Sequence, residues 1–90
     1  VGWKIKYTEI AAKQMKKLDK AVSKKIDKYL NERIATLSDP SALGKPLGHD
    51  KSGLWRYRLE NYRIICEIQE DQVVVLVLRI GHRKEVYHYK

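Results

Sequence analysis

Along this chain the spacing of apolar residues changes several times, and each change predicts an element. From Val1 to Tyr7 it is two: Val1, Trp3, Ile5 and Tyr7 fall on one side, Gly2, Lys4 and Lys6 on the other. That alternation predicts a half-buried strand. Ile10, Ala11, Met15 and Leu18 then recur at helical spacing and predict a first helix ending near Leu18, with Lys13, Lys16 and Lys17 toward solvent. Thr8 stands at the N-cap position, and Glu9 in the first turn suits the positive end of the helix dipole. Asp19-Lys20 reads as a tight corner, with Asp19 able to cap the next helix. Val22, Ile26, Tyr29, Leu30, Ile34 and Leu37 form one stripe over about Ala21 to Leu37, a longer amphipathic helix. Ser38-Asp39-Pro40 ends it, because proline cannot continue a helix and disfavours helical geometry in the residue before it.

Ser41 to Ser52 reads as a loop, containing Gly44, Pro46, Gly48 and His49. Alternation then returns. In Leu54 to Glu60, Trp55, Tyr57 and Leu59 share one face, and Leu54, Arg56, Arg58 and Glu60 the other. After a turn at Asn61, Tyr62, Ile64, Cys66 and Ile68 oppose Arg63, Ile65 and Glu67. Glu70-Asp71-Gln72 turns the chain again. Val73 to Ile80 is apolar on both faces until Arg79, the mark of a strand covered on each side. The order predicts an α+β domain: an N-terminal strand, a helical hairpin, then a three-stranded antiparallel meander, with the helices packed on one face of the sheet. The opposite face is left open for binding.

Ninety residues make one domain, spanning 1–90, because a chain this short encloses one modest core. Hydrophobic residues make up 43%, enough to fold. The charge changes the picture more. With 19 Lys and Arg against 11 Asp and Glu, the formal net charge is +8, which favours a polyanion such as nucleic acid. Lysine-rich helix faces that merely keep the domain soluble would give a similar excess. Cys66 is the one cysteine and lies in an apolar strand, so it reads as a buried thiol in a reducing compartment. No apolar run reaches the ~20 residues that span a bilayer. Lys4 and Lys6 interrupt the N-terminal apolar pattern and argue against a signal peptide. A cytoplasmic location without membrane attachment is expected.

The candidate chemistry is cationic. Arg56 and Arg58 are two apart on one strand, so their side chains leave the same face about 7 Å apart. Arg63 begins the next strand just past a tight turn, and Arg83 comes after the last strand, beyond Gly81. Guanidiniums converging from adjacent strands offer bidentate hydrogen bonds to phosphate oxygens. An ordinary charged sheet face, with arginines paired to Glu60 and Glu67, fits the same spacing. Tyr87 is placed to stack on an unpaired base beside Arg83, or else to anchor the C-terminal segment. His82 has the chemistry of a general acid or base, although a histidine beside a glycine is commonly a solvated turn residue. No Cys/His cluster has metal-ligand spacing, and no phosphate loop or nucleophile elbow is present, so no metal or other cofactor is expected.

Taken together, the segments Gly53-Leu54-Trp55-Arg56-Tyr57-Arg58-Leu59, Tyr62-Arg63-Ile64-Ile65 and Ile80-Gly81-His82-Arg83-Lys84-Glu85-Val86-Tyr87 resemble the RelE family of bacterial toxins, in the RelE/ParE superfamily of type II toxin–antitoxin systems. Leu37 to Pro40 and the loop Ala42 to Leu47 agree as well, and the resemblance covers essentially the whole chain. It implies a toxin that enters the ribosomal A site and cleaves the mRNA there, inhibiting translation. A cognate RelB-like antitoxin would neutralise it in a hetero-oligomer. The ribose 2′-hydroxyl would attack the adjacent phosphate, leaving a 2′,3′-cyclic phosphate and a 5′-hydroxyl.

Carried over by this resemblance, Arg63 would neutralise the phosphorane, Arg83 would serve the leaving group, and Tyr87 would stack on a base. Arg56 and Arg58 stand where the best-known pattern has two lysines. That departure opens the question of the base, because arginine does not give up its proton as lysine can. His82, Glu67 and Glu85 are the available substitutes, and a ribosomal group or water is another. Two other readings remain open: a non-enzymatic ParE-like toxin acting on DNA gyrase, and a simple basic RNA-binding module.

Overall fold

Five strands form one sheet in the computed structural model, which describes residues 2–47 and 53–82. The elements are β1 (Lys4–Tyr7), α1 (Glu9–Lys17), α2 (Lys20–Tyr29), β2 (Lys45–Pro46), β3 (Leu54–Leu59), β4 (Tyr62–Gln69) and β5 (Val74–His82). Their order across the sheet is β1-β5-β4-β3-β2. The meander β3-β4-β5 is antiparallel as expected, and β1 lies parallel to β5, with Ile5 opposite Val75 and Tyr7 opposite Val77. Parallel neighbours need a crossover. The helical hairpin together with β2 to β4 supplies it, which puts both helices over one face.

That face carries the core. Tyr57, Ile64, Cys66, Val75, Val77 and Ile80 from the sheet close against Ala11, Ile26, Leu30 and Ile34 from the helices. Cys66 is buried, and desolvation holds its thiol far above the usual range, so it stays protonated and unreactive. Thr8 caps α1 as its position predicts, its side chain accepting from the Ala11 N–H at 3.1 Å. Asp19 occupies the N-cap of α2 without a side-chain capping bond.

The structure differs from the expected elements in three places. Ile10 is 50% exposed rather than inward, because Ala11 takes the contact with the sheet and its small side chain lets α1 approach closely. The second helix is α-helical only to Tyr29; Leu30–Ile34 form a π-helical turn in which the Ala35 N–H donates to the Leu30 carbonyl at 2.8 Å. The wider turn leaves the Ala35 carbonyl to accept from the Trp3 N–H at 2.8 Å, tying the start of β1 to the end of the helical layer. The expected loop after Pro40 contains a 3-10 turn, Pro40–Leu43, and the two-residue strand β2.

Tyr57 anchors the strand that holds Arg56 and Arg58. It is fully buried, and its hydroxyl donates to the Pro40 carbonyl at 2.7 Å. Gly44 packs against it so closely that an added Cβ would lie 2.9 Å from the ring. Tyr57→Phe is expected to destabilise the fold by about 1–3 kcal/mol, because it strands a buried carbonyl. Chemical denaturation checks this.

Candidate phosphate-binding face of the sheet

Strand pairing decides which cations meet. Arg58 of β3 lies directly opposite Arg63 of β4, and Arg63 in turn lies opposite Gly81 of β5. Two residues along, a second row runs Lys45, Arg56, Ile65, Arg79 through β2, β3, β4 and β5. Both rows stand on the face away from the helices, since the alternate residues Tyr57, Ile64 and Cys66 belong to the core. Arg63 is thus the centre of the set. Arg58 is its direct neighbour, Arg56 and Arg79 are its diagonal neighbours at roughly 7–8 Å, and Gly81 adds no side chain on its other flank.

Burial singles out Arg63 further. It is 5% exposed, and its Nε and Nη1 atoms are buried, whereas Arg58 is exposed and Arg56 half-buried. A guanidinium keeps its charge in such a setting, because arginine does not deprotonate at any ordinary pH. A permanent cation in a poorly hydrated position, with three more around it, concentrates positive charge on this face. The planar fork of each group suits phosphate oxygens.

The other candidates are distributed differently. Arg83, Glu85 and Tyr87 lie outside the described residues, as does His49. His82 is opposite Tyr62, and the two rings meet edge to face with centroids 6.1 Å apart. Tyr62 packs against the core, so His82 stands on the helix side of the sheet, away from Arg63. Glu67 is on the arginine face but four residues from Arg63, about 13 Å along the strand, and its Oε1 accepts from the Gln69 Nε2 at 3.1 Å. Glu60 pairs with Lys25 at 3.1 Å. Sequence reading left out Lys45 and Arg79. Lys45 fell in an expected loop, and Arg79 falls on the core side of a strict period of two.

A cleft of about 460 Å³, lined in part by Asp39, Glu67, Glu70 and Asp71, has the wrong charge for phosphate and is not the site. Among the described residues no three His, Cys, Asp or Glu side chains come together to hold a metal. No helix there is long and apolar enough to cross a membrane.

Fold and site define a small basic α+β domain with one sheet face built around cations. Comparison with known proteins makes the class specific. The sequence pattern of the ParE toxin of the type II toxin–antitoxin system parDE matches residues 5–87, and the chain belongs to this family, within the RelE/ParE superfamily of toxins. It is similar to Toxin RelG of Mycobacterium tuberculosis, 24% identical over 83 residues, covering 92% of this chain and 93% of the relative. In fold it matches the toxin–antitoxin complex RelBE2 from the same organism, with a TM-score of 0.81 at 24% identity over 92% of this chain and 93% of the other. It also matches the isolated RelE toxin of Escherichia coli, with a TM-score of 0.72 at 26% identity over 94% and 90%.

The Arg58–Arg63 pairing has a measurable consequence. Like charges directly opposite on a sheet are destabilising. Arg58→Thr is expected to raise stability by up to about 1 kcal/mol, and salt, by screening the wild-type repulsion, to narrow the difference. Denaturation curves at low and high salt check both.

Proposed function

We propose that this toxin is a ribosome-dependent mRNA endoribonuclease that cleaves codons in the A site and so stops translation. The observation that carries the reading is the convergence of Arg56 and Arg58 on the buried Arg63, on the face away from α1 and α2. Similarity to RelE-named toxins supports it. In this reading the ribose 2′-hydroxyl attacks the adjacent phosphate. Arg63 neutralises the charge of the phosphorane, the kind of stabilisation that is usually the largest catalytic contribution. Arg56 and Arg58 orient the 2′-hydroxyl and its phosphate. Arg83 serves the leaving oxygen, and Tyr87 stacks on a base to hold the codon. Neither arginine on β3 is a base. His82 stands on the other face and Glu67 about 13 Å along β4 from Arg63, which favours Glu85, a water or a ribosomal group as the proton acceptor.

The partner in this reading is a RelB-like antitoxin, forming a hetero-oligomer with the toxin in the cytoplasm, where translating ribosomes are found. The structural neighbours include RelB–RelE complexes, which supports that choice. A groove of about 680 Å³ between α1 and α2, with Met15 and Leu18 in it and four lysines against Asp27 and Glu32 around them, is a place where an amphipathic segment of net negative charge could dock. The competing reading, a non-enzymatic action on DNA gyrase, draws on the ParE description of the family.

Primer extension on translated messages after brief induction separates the two. Cuts within codons are expected; intact messages with gyrase-linked DNA damage select the ParE-like action. Arg63→Ala is expected to lower the cleavage rate by about 10²-fold or more with the fold retained by circular dichroism. His82→Gln is expected to leave the acidic limb of the pH–rate profile where it was. A displaced limb would make His82 the base after all.

A further inference from the structure

Arg79 reaches the face away from the helices because of an irregularity in β5. Val75 and Val77 point into the core at the usual interval of two, and the next core residue is Ile80, three further on. The pairing shows the same break: Ile65 is opposite Arg79, but the next residue, Cys66, is opposite Val77. Leu78 is therefore the extra residue of a bulge. Without it, alternation would aim Arg79 at the helices and put Ile80 outside. With it, Arg79 joins Arg56 and Arg63. Bulges next to functional sites re-aim side chains in this way.

The bulge is held from the helix side. Strand β1 ends at Tyr7 opposite Val77, so beyond that point β5 has no strand neighbour on this edge among the described residues. Two polar side chains take over. The Thr8 hydroxyl donates to the Leu78 carbonyl at 3.1 Å, and the Ile80 N–H donates to the Gln14 Oε1 at 2.7 Å. The backbone groups that a bulge leaves without ladder partners are thereby satisfied, and the direction of Arg79 is set by hydrogen bonds as well as packing.

We propose that Arg79 is a positioning residue that grips the RNA phosphate adjacent to the one held at Arg63. The choice of RNA rests on the ribonuclease reading above. The row Lys45, Arg56, Arg79 crosses the strands beside the row Arg58, Arg63. Arg56 and Arg79 flank the buried Ile65, two strand spacings or about 10 Å apart. An extended single strand laid across the sheet meets one guanidinium after another, and its scissile phosphate stays centred on Arg63.

The test uses the whole chain and a short single-stranded 2′-O-methyl oligoribonucleotide, which lacks the attacking hydroxyl and cannot be cut. Fluorescence anisotropy at several salt concentrations yields the slope of log K against log salt. Losing one phosphate contact on a single strand lowers the magnitude of that slope by about 0.7. Arg79→Ala is expected to show this loss and Arg79→Lys to restore it. Arg33→Ala, which removes the same charge from the exposed helix side, is expected to leave the slope unchanged. The proposal is overturned by an unchanged slope in Arg79→Ala, by an equal fall in Arg33→Ala, by failure of Arg79→Lys to rescue, or by a wild type that does not bind the oligonucleotide. Message cleavage with an unchanged slope sinks the role of Arg79 alone. A reduced, rescued slope without cleavage keeps the contact and sinks the nuclease reading.

Discussion

The large apolar side chains of the meander close on one side of the sheet, and the rest of the molecule depends on that one-sidedness. Tyr57, Ile64, Cys66, Val75, Val77 and Ile80 need cover, and the helical hairpin provides it through Ala11, Ile26, Leu30 and Ile34. Because β1 leads straight into the hairpin and pairs parallel with β5, both helices are delivered to the same face. The alternate residues on β3 and β4 are then committed to the opposite face by the period of two. Arg56, Arg58 and Arg63 stand together because their neighbours in sequence are the core.

That arrangement sets like charges side by side. Arg58 opposes Arg63 directly, and two further guanidiniums stand diagonal to the buried one. A surface built this way has a higher positive potential at its centre than scattered lysines of equal number, since each cation adds to the potential felt there. The tyrosine and glycine beneath it resist the resulting strain: Tyr57 is bonded to Pro40 and packed by Gly44, so β3 cannot easily splay.

Under the proposed ribonuclease reading, the contribution of the arginines to catalysis is electrostatic. Four guanidiniums stabilise developing negative charge well and exchange protons poorly. The carboxylate and imidazole on the described strands are held elsewhere, Glu67 by distance and Gln69, His82 by its contact with Tyr62.

Much of this was legible in the chain. Alternation in β3 and β4 separated the core residues from Arg56, Arg58 and Arg63, and helical spacing located the hairpin and its Thr8 cap, because local periodicity reflects which side of an element is buried. What failed were features created by distant parts of the chain. Ile10 looked like a core residue until Ala11 took the contact, and the α2 stripe gave no sign of the π turn that frees the Ala35 carbonyl for Trp3. Which side His82 takes was likewise fixed only by the β4–β5 register, which sets it opposite Tyr62. Arg79 is the sharpest case. Its side of the sheet depends on a bulge stabilised by Thr8 and Gln14, more than sixty residues earlier, whose side chains bond to Leu78 and Ile80. Period alone could assign faces only while the strand stayed regular; where a one-residue shift reverses them, the decision belonged to tertiary hydrogen bonds.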